Sequence, residues 1–184
     1  MQKSVLILVL TVFTAGVARA GIVTPTFWTG PTTTFSKPAF ADWTQPANQD
    51  RLTDNVWITR QDSFGLFNIA VESQVDDIGT AGTTPSGTRW ADGTLADVQA
   101  DVNALNFLPW NQWAAGSPPS TVDRDAVLHL VQDDIYLSIK FTQWSGARGG
   151  GGFTYERSTP VPEPASLGFL LTGLTLLRRQ RHAA

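Results

Sequence analysis

The segment from Ala126 to Thr142 constrains the fold of this chain more than any other part of its sequence. Apolar and polar residues alternate along it, as they do in two paired strands that each bury one face. A hairpin with Asp133-Asp134 as its two-residue turn gives three apolar pairs, Leu130 with Leu137, Leu128 with Ile139 and Ala126 with Phe141. All three lie on one side, as a correct register requires. Asp-Asp is a weaker turn than Asp-Gly, so a looser loop with another register stays open.

Short strands separated by Gly, Pro, Asn and Asp also account for the rest of residues 21–160. Runs of β-branched and aromatic residues predict strands at Phe27–Trp28, Phe35–Phe40, Val56–Thr59, Leu66–Val71 and Phe153–Arg157. We therefore predict an all-β fold, an antiparallel β-sandwich of the jelly-roll kind that has no Cys and forms no disulfides. The predicted boundaries are a sandwich domain at 21–148, a flexible Gly-rich loop at 149–152, a last strand at 153–157 and a linker at 158–164.

Residues 94–105 fit two structures equally well. Leu95, Val98, Val102 and Leu105 have helical spacing, whereas every second residue from 98 to 104 is Val or Ala, as in a strand. Because the surrounding sequence indicates strands, we expect extended structure here, with a strand around Leu105–Trp110.

The first twenty residues have the layout of a secretory signal peptide. Lys3 provides a basic start, Val5–Val12 is an apolar run, and Ala18 and Ala20 are the small residues of a cleavage site before Gly21. The apolar run is shorter than the roughly 20 residues of a membrane span. We expect export and cleavage between Ala20 and Gly21.

The other end has three consecutive parts. Val161-Pro162-Glu163-Pro164 precedes an uncharged segment, Ala165–Leu177, and the basic residues of 178–184 follow, namely Arg178, Arg179 and Arg181. An apolar helix followed by arginines is a stop-transfer arrangement, and the positive-inside rule places the basic tail in the cytoplasm. At about 1.5 Å per residue, 165–177 spans only ~20 Å of a core about 30 Å thick. The membrane span must therefore extend back to Val161, so that it covers Val161–Leu177, or the anchoring is transient.

This tail closely resembles the PEP-CTERM sorting signal, a resemblance that covers Val161–Ala184 and says nothing of residues 21–160. It implies a Gram-negative exported protein that uses the Sec translocon and signal peptidase. It also implies cleavage near the motif by an exosortase-like transpeptidase, from an inner-membrane-anchored precursor to the cell surface or outside. Val161, Pro162, Glu163 and Pro164 would be recognition residues. Proteins of this family are associated with exopolysaccharide and biofilm.

The exported segment lacks the constellations of most enzymes. It holds thirteen Asp and two Glu against eight Lys and Arg, a net charge of −7, which argues against nucleic-acid binding. The segment has a single His, His129, and no Gly-x-Ser-x-Gly nucleophile elbow, so the sequence does not indicate a serine hydrolase. One His without Cys also makes a poor zinc site. We expect His129 to be a surface or packed residue. Paired Asp residues leave a glycoside hydrolase as an alternative.

Aspartate and tryptophan supply the remaining candidate site residues. Asp123 and Asp125 are weak calcium candidates, and Asp50, Asp54 and Asn55 form another oxygen cluster, although turn capping is the more usual role. We predict no other cofactor. All seven Trp lie in the exported segment. Three of them are candidates for stacking on sugar rings from exposed loops, Trp110, Trp113 and Trp144, and three are expected in the core, Trp43, Trp57 and Trp90.

These observations favour an exported, non-enzymatic protein of the envelope or extracellular matrix. One alternative is a carbohydrate-binding module that uses the loop tryptophans, with extracellular polysaccharide as its partner. The other is a small secreted glycoside hydrolase.

Overall fold

A computed structural model describes residues 24–73 and 85–162, and these ranges form two β-sheets with few helices. The nine strands are β1 Thr26–Trp28, β2 Thr33–Lys37, β3 Asp50–Arg51, β4 Trp57–Arg60, β5 Leu66–Asn68, β6 Thr88–Asp92, β7 Ala126–Leu130, β8 Ile135–Trp144 and β9 Phe153–Arg157. The two α-helices are α1 Leu95–Ala100 and α2 Trp110–Trp113, and 3₁₀ turns lie at Pro46–Asn48 and Pro118–Thr121.

The larger sheet has six strands, five of them in the order β2-β9-β8-β7-β6. All neighbours on this path are antiparallel, while β1 adds parallel to the first half of β8. The smaller sheet is antiparallel, with the order β3-β4-β5. Strands β6 to β9 neighbour one another consecutively within one sheet, whereas a jelly roll is built from two Greek keys. The predicted jelly-roll connectivity is therefore wrong.

The central hairpin is confirmed, but its register is two residues away from the predicted one. Leu130 pairs with Ile135, Leu128 with Leu137 and Ala126 with Ile139. The turn has four residues, 131–134, in which Asp134 adopts the left-handed conformation with φ of 48°. Asp-Asp lacks the glycine that tight hairpin turns favour, so the chain makes the longer loop. A shift by two residues leaves every side chain on its predicted face.

Both sheets contribute to one hydrophobic core. The smaller sheet and its flanks provide Leu52, Val56, Ile58 and Leu66, and the larger sheet provides residues such as Leu128, Leu137, Phe141, Phe153 and Tyr155. Helix α2 and β6 add Trp90, Trp110 and Trp113. Burial of these side chains stabilises the fold by roughly 25 cal/mol per Å² of apolar surface.

The segment expected to be extended at 94–105 contains a helix. Thr94 and Asp97 form a capping box: Thr94 Oγ1 accepts from the Asp97 N–H, and an Asp97 carboxylate oxygen accepts from the Thr94 N–H. Val98 is then buried on the outer face of the larger sheet, against Val127 and Tyr136. The strand expected at Leu105–Trp110 is also wrong, since Leu108 makes only an isolated bridge to Trp90 and Trp110 begins helix α2.

The other strand predictions hold, with shifted ends. The hairpin of β4 and β5 and the last strand β9 are confirmed, and β1 and β2 correspond to the first two predicted strands. Strand β2 ends at Lys37 because Pro38 has no N–H for the ladder, and Phe40 has φ of 58°.

The signal peptide and most of the sorting tail lie outside the described residues, so these predictions stay predictions. Of the motif, Val161 and Pro162 are described, and both are exposed. Within 24–73 and 85–162, none of the helices has the length and apolar character of a membrane span.

Candidate functional site

Two of the three tryptophans predicted to stack on sugars are buried. Trp110 is 2% exposed and Trp113 is 4% exposed, because both sit on the short helix α2, which packs into the core. Trp110 lies 4.9 Å from Trp90, centroid to centroid, and Trp113 lies 5.6 Å from it. The Trp113 indole N–H donates to Asp92 Oδ1 at 2.9 Å. Their predicted exposure is wrong, since the Pro/Asn-rich segment folds as a helix rather than a projecting loop.

The third candidate, Trp144, is half-buried, and the guanidinium of Arg60 lies over its ring. The Arg60 guanidinium carbon lies 4.0 Å from the ring centroid of Trp144, within the range of a cation–π interaction. Trp144 also packs beside Trp110 and Phe153. Trp144 borders a surface groove, but Arg60 on its ring together with the neighbouring rings of Trp110, Phe141 and Phe153 leaves little of the indole for a sugar to stack on.

Two tryptophans that were expected in the core are instead partly exposed. Trp43 packs edge-on against buried Phe67, whereas Trp57 opens onto a groove between the smaller sheet and the β7–β8 turn. Trp90 alone of the three predicted core residues is fully buried. The exposure of Trp57 follows from the alternation of side chains along a strand. Val56 and Ile58 on either side of it face the core, so Trp57 lies on the opposite face.

The groove beside Trp57, called here the Trp57 groove, has a volume of about 570 Å³. Its lining combines one indole with charged and hydrogen-bonding groups, namely Arg51, Leu52, Thr53, Asp54, Asn55, Trp57 and Asp133. The Trp57 indole N–H donates to the Thr53 carbonyl at 2.9 Å, which fixes the edge of the ring. The volume falls within the ~300–1,000 Å³ of small-molecule sites.

Asp133 joins the two walls of the Trp57 groove. Its Oδ2 accepts from Thr53 Oγ1 and its Oδ1 accepts from Asn55 Nδ2, each at 2.7 Å. Both carboxylate oxygens therefore hold the turn at 53–55, leaving Asp54 as the exposed carboxylate of the groove. Asp133 therefore holds protein groups together, whereas Asp54 is the carboxylate that a ligand in the groove could contact.

Arg51 gives the groove a positive group above the indole. Its guanidinium carbon lies 4.2 Å from the ring centroid of Trp57, and its Nε and Nη2 donate to Gln49 Oε1. Arg51 faces Trp57 across the β3–β4 pair, and its side chain is exposed. The groove thus presents an apolar surface, a cation, a free carboxylate and an amide, a set that recognises ring-shaped ligands with several hydroxyl groups.

The proposed calcium ligands do not assemble. Among the described residues, no three His, Cys, Asp or Glu side chains come close enough to hold a metal ion. Asp125 pairs with Lys140 at 3.2 Å, and the Asp123 N–H donates to the Phe141 carbonyl. Asp50 is buried in an ion pair with Arg157. The carboxylates of Asp125 and Asp50 thus bind protein cations, whereas the contact of Asp123 is made by its backbone.

His129 is a packed residue, as predicted. Its ring stacks on Tyr136 with centroids 4.1 Å apart, and Nε2 lies 3.1 Å from Asp134 Oδ1. Burial lowers the pKa of His129 below its usual 6.5, although the hydrogen bond and charge of Asp134 act in the opposite direction. Burial and the nearby Asp134 raise the pKa of Tyr136.

The Trp57 groove was missed at the sequence level, because its walls are about 80 residues apart in the chain. One local signal existed, a Thr-Asp-Asn turn immediately before an aromatic strand. None of the family models, curated proteins or solved structures compared with the chain matches it.

Proposed function

We propose that this protein is an exported, non-catalytic domain of the envelope or extracellular matrix, and that it binds neutral polysaccharide in the Trp57 groove. The observation that carries the binding proposal is the half-exposed Trp57, whose indole lies among Arg51, Asp54 and Asn55. The two sheets that share a core would be the unequal layers of a β-sandwich, a common scaffold for such sites.

Sorting is the second part of the proposal. The signal-peptide layout at 1–20 and the PEP-CTERM-like tail at 161–184 support export by Sec and processing by an exosortase-like enzyme. An anchored precursor would then be transferred to the cell surface or released. A polysaccharide-binding domain has its ligand in that location.

A binding assay with matched tryptophan variants tests the proposal. The full-length protein would be incubated with insoluble cellulose and with soluble xylan, and retention measured for wild type, Trp57→Ala and Trp43→Ala. Trp43 is the control because it is also half-exposed but does not line the groove. We expect Trp57→Ala to weaken binding at least about fivefold, since an aromatic contact that stacks a ring is worth roughly 1–3 kcal/mol by analogy with base stacking.

Circular dichroism would confirm that both variants fold. Equal retention of wild type and Trp57→Ala, or no retention by either polysaccharide, would refute the binding proposal. Release of reducing sugar would instead favour the hydrolase alternative, with Asp54 and Asp133 as the carboxylates to replace.

A further inference from the structure

A second groove lies elsewhere on the molecule, between the β4–β5 turn and the 3₁₀ turn that follows α2. It has a volume of about 280 Å³ and is called here the Arg60 groove. Its lining is mostly apolar or small, with Ser63, Phe64, Gly65, Ser117, Pro118 and Trp144 around Arg60. It shares no lining residue with the Trp57 groove.

Arg60 is a buried cation whose partners are all neutral. The residue is 2% exposed, and its Nε donates to the Phe64 carbonyl at 2.6 Å. Its Nη1 donates to the Ser145 carbonyl, the Ser145 hydroxyl and the Gly152 carbonyl at 3.0 to 3.1 Å. Within the described residues, no carboxylate lies within the 4.0 Å of an ion pair with this guanidinium.

One nitrogen of the Arg60 guanidinium, Nη2, makes no hydrogen bond within the described residues. In contrast, Nε and Nη1 use all their bonds on carbonyl and hydroxyl oxygens. In that same part of the chain, no side-chain nitrogen or oxygen is both buried and unpartnered. Nη2 therefore keeps a small accessible area although Arg60 is 2% exposed, and Arg60 lines the groove.

A second buried cation, Lys37, lies near Arg60, and its Nζ is 3.5 Å from the Gly151 carbonyl. Asp62 and Asp42 act on the charge of Lys37, whereas no carboxylate of the described residues acts in this way on Arg60. Burial lowers the pKa of Arg60 to about 10, so the guanidinium stays charged at neutral pH. A buried charge without a counterion is costly, and a ligand carboxylate would supply one.

The groove walls indicate what carries that carboxylate. Phe64 is 40% exposed, and it and Pro118 are apolar residues of the groove lining. The hydroxyls of Ser63 and Ser117 make no hydrogen bond within the described residues. A hexuronate combines a ring, free hydroxyls and one carboxylate. An acidic peptide side chain has the carboxylate without the ring or the hydroxyls.

From these contacts we infer that the Arg60 groove binds a uronic acid unit of an acidic polysaccharide, with the sugar carboxylate accepting from Arg60 Nη2. The acidic body of the protein repels such a chain at long range, but salt screens this repulsion beyond about 8 Å at 0.15 M. Recognition is thus local to the groove.

The test uses calorimetry on the full-length protein at 0.15 M salt with trigalacturonic acid as the probe. Its trimethyl ester is the first control, since it keeps the rings and removes the charges. Arg60 itself is left unchanged because it ties the loop at 145–152 to the β4–β5 hairpin. Instead, Ser117→Glu places a carboxylate at the groove, and Ser117→Gln is its uncharged control of the same size.

We expect the acid to bind at least about tenfold more tightly than the ester, and Ser117→Glu to bind it at least about tenfold more weakly than Ser117→Gln. Equal binding of acid and ester, equal binding by the two variants, or no binding of the acid would overturn the inference. Equal competition by a poly-glutamate peptide would overturn the sugar assignment. Trp57→Ala should bind the acid as wild type does, so this test and that of the Trp57 groove fail separately.

Discussion

At the scale of single residues, the main surprise is the role of Asp50. Its carboxylate accepts from Arg157 Nε and Nη2 at 2.7 and 2.8 Å and from the Tyr155 hydroxyl at 2.6 Å. Asp50 belongs to the smaller sheet and its partners belong to β9 of the larger sheet. Burial, followed by the Asp50 charge, raises the pKa of Tyr155 well above its usual 10.0, so the phenol stays a donor. This network joins the two sheets by fixed polar contacts.

Removal of the Asp50 carboxylate should be strongly destabilising. Asp50→Ala leaves the Arg157 guanidinium without its counterion in a site where its side chain is 12% exposed. We expect the free energy of unfolding in urea to fall by about 3–5 kcal/mol. Asp54→Ala, at an exposed position, is the control and should change it by less than about 0.5 kcal/mol. A loss below ~1 kcal/mol for Asp50→Ala would contradict this role.

His129 should make the fold sensitive to mild acid. Its pKa is lowered in the folded state, chiefly by burial and also by Arg89, while Asp134 opposes the shift. The unfolded chain therefore takes up a proton first as the pH falls through 6.5, and stability falls with it until the folded state is also protonated. We expect the unfolding free energy of wild type to decrease between pH 7.5 and 5 relative to that of His129→Gln. Parallel pH profiles for the two proteins would argue against this.

At the scale of elements, strands were easier to predict than their connections. Hairpin β7–β8 keeps its faces under a shift of two residues, because the side-chain period of a strand is two. Helix α1 could not be distinguished from a strand, because Leu95, Val98 and Val102 fit one period and Val98 to Ala104 the other. The helix forms because Thr94 and Asp97 make a capping box at its N-terminus.

The Gly-rich loop was expected to be flexible, yet much of it is packed. Gly150, Gly151 and Gly152 are buried, and the Phe40 N–H donates to the Gly150 carbonyl. A Cβ on Gly151 would lie 2.1 Å from the Gln61 carbonyl oxygen. The loop therefore needs glycines because another stretch of backbone runs against it.

Gly151→Ala tests this close approach. Gly151 has φ of +65° and a backbone neighbour, whereas Gly116 has φ of +68° and no atom within 4 Å of its Cβ position. Gly116→Ala thus measures backbone strain alone, about 1 kcal/mol or slightly more. We expect Gly151→Ala to lower the free energy of unfolding clearly more than Gly116→Ala does, because the loop must also move. Thermal and urea unfolding measure this difference. Equal losses would show that strain alone requires glycine at 151.

At the scale of the whole molecule, seven tryptophans are divided between core and surface by the arrangement of the sheets. Trp28, Trp90, Trp110 and Trp113 are buried, while Trp43, Trp57 and Trp144 keep some exposure. No local pattern separated these groups, since both include residues next to Pro, Asn or Thr. The candidate sites follow from this division, because each groove borders a partly exposed tryptophan.

The proposed export and sorting also belong to the scale of the whole chain. In a Gram-negative host with an exosortase, we expect the mature N-terminus at Gly21 and loss of the segment after the motif. Glu163→Gln should leave signal cleavage unchanged and cause the anchored precursor to accumulate in the membrane fraction. Mass spectrometry of both fractions measures this. An intact 184-residue chain in the cytoplasm would contradict the proposed route.

The amino-acid sequence by itself determined the strand-rich character of the body, the sidedness of its central hairpin and the layout of its terminal segments, because these depend on residues close together in the chain. Only the tertiary structure decided which tryptophans are buried, and it alone brought Asp133 to Thr53 and Arg60 to Trp144. Burial and ion pairing across sheets depend on contacts between distant residues. The periodicity of a single strand carries no information about them.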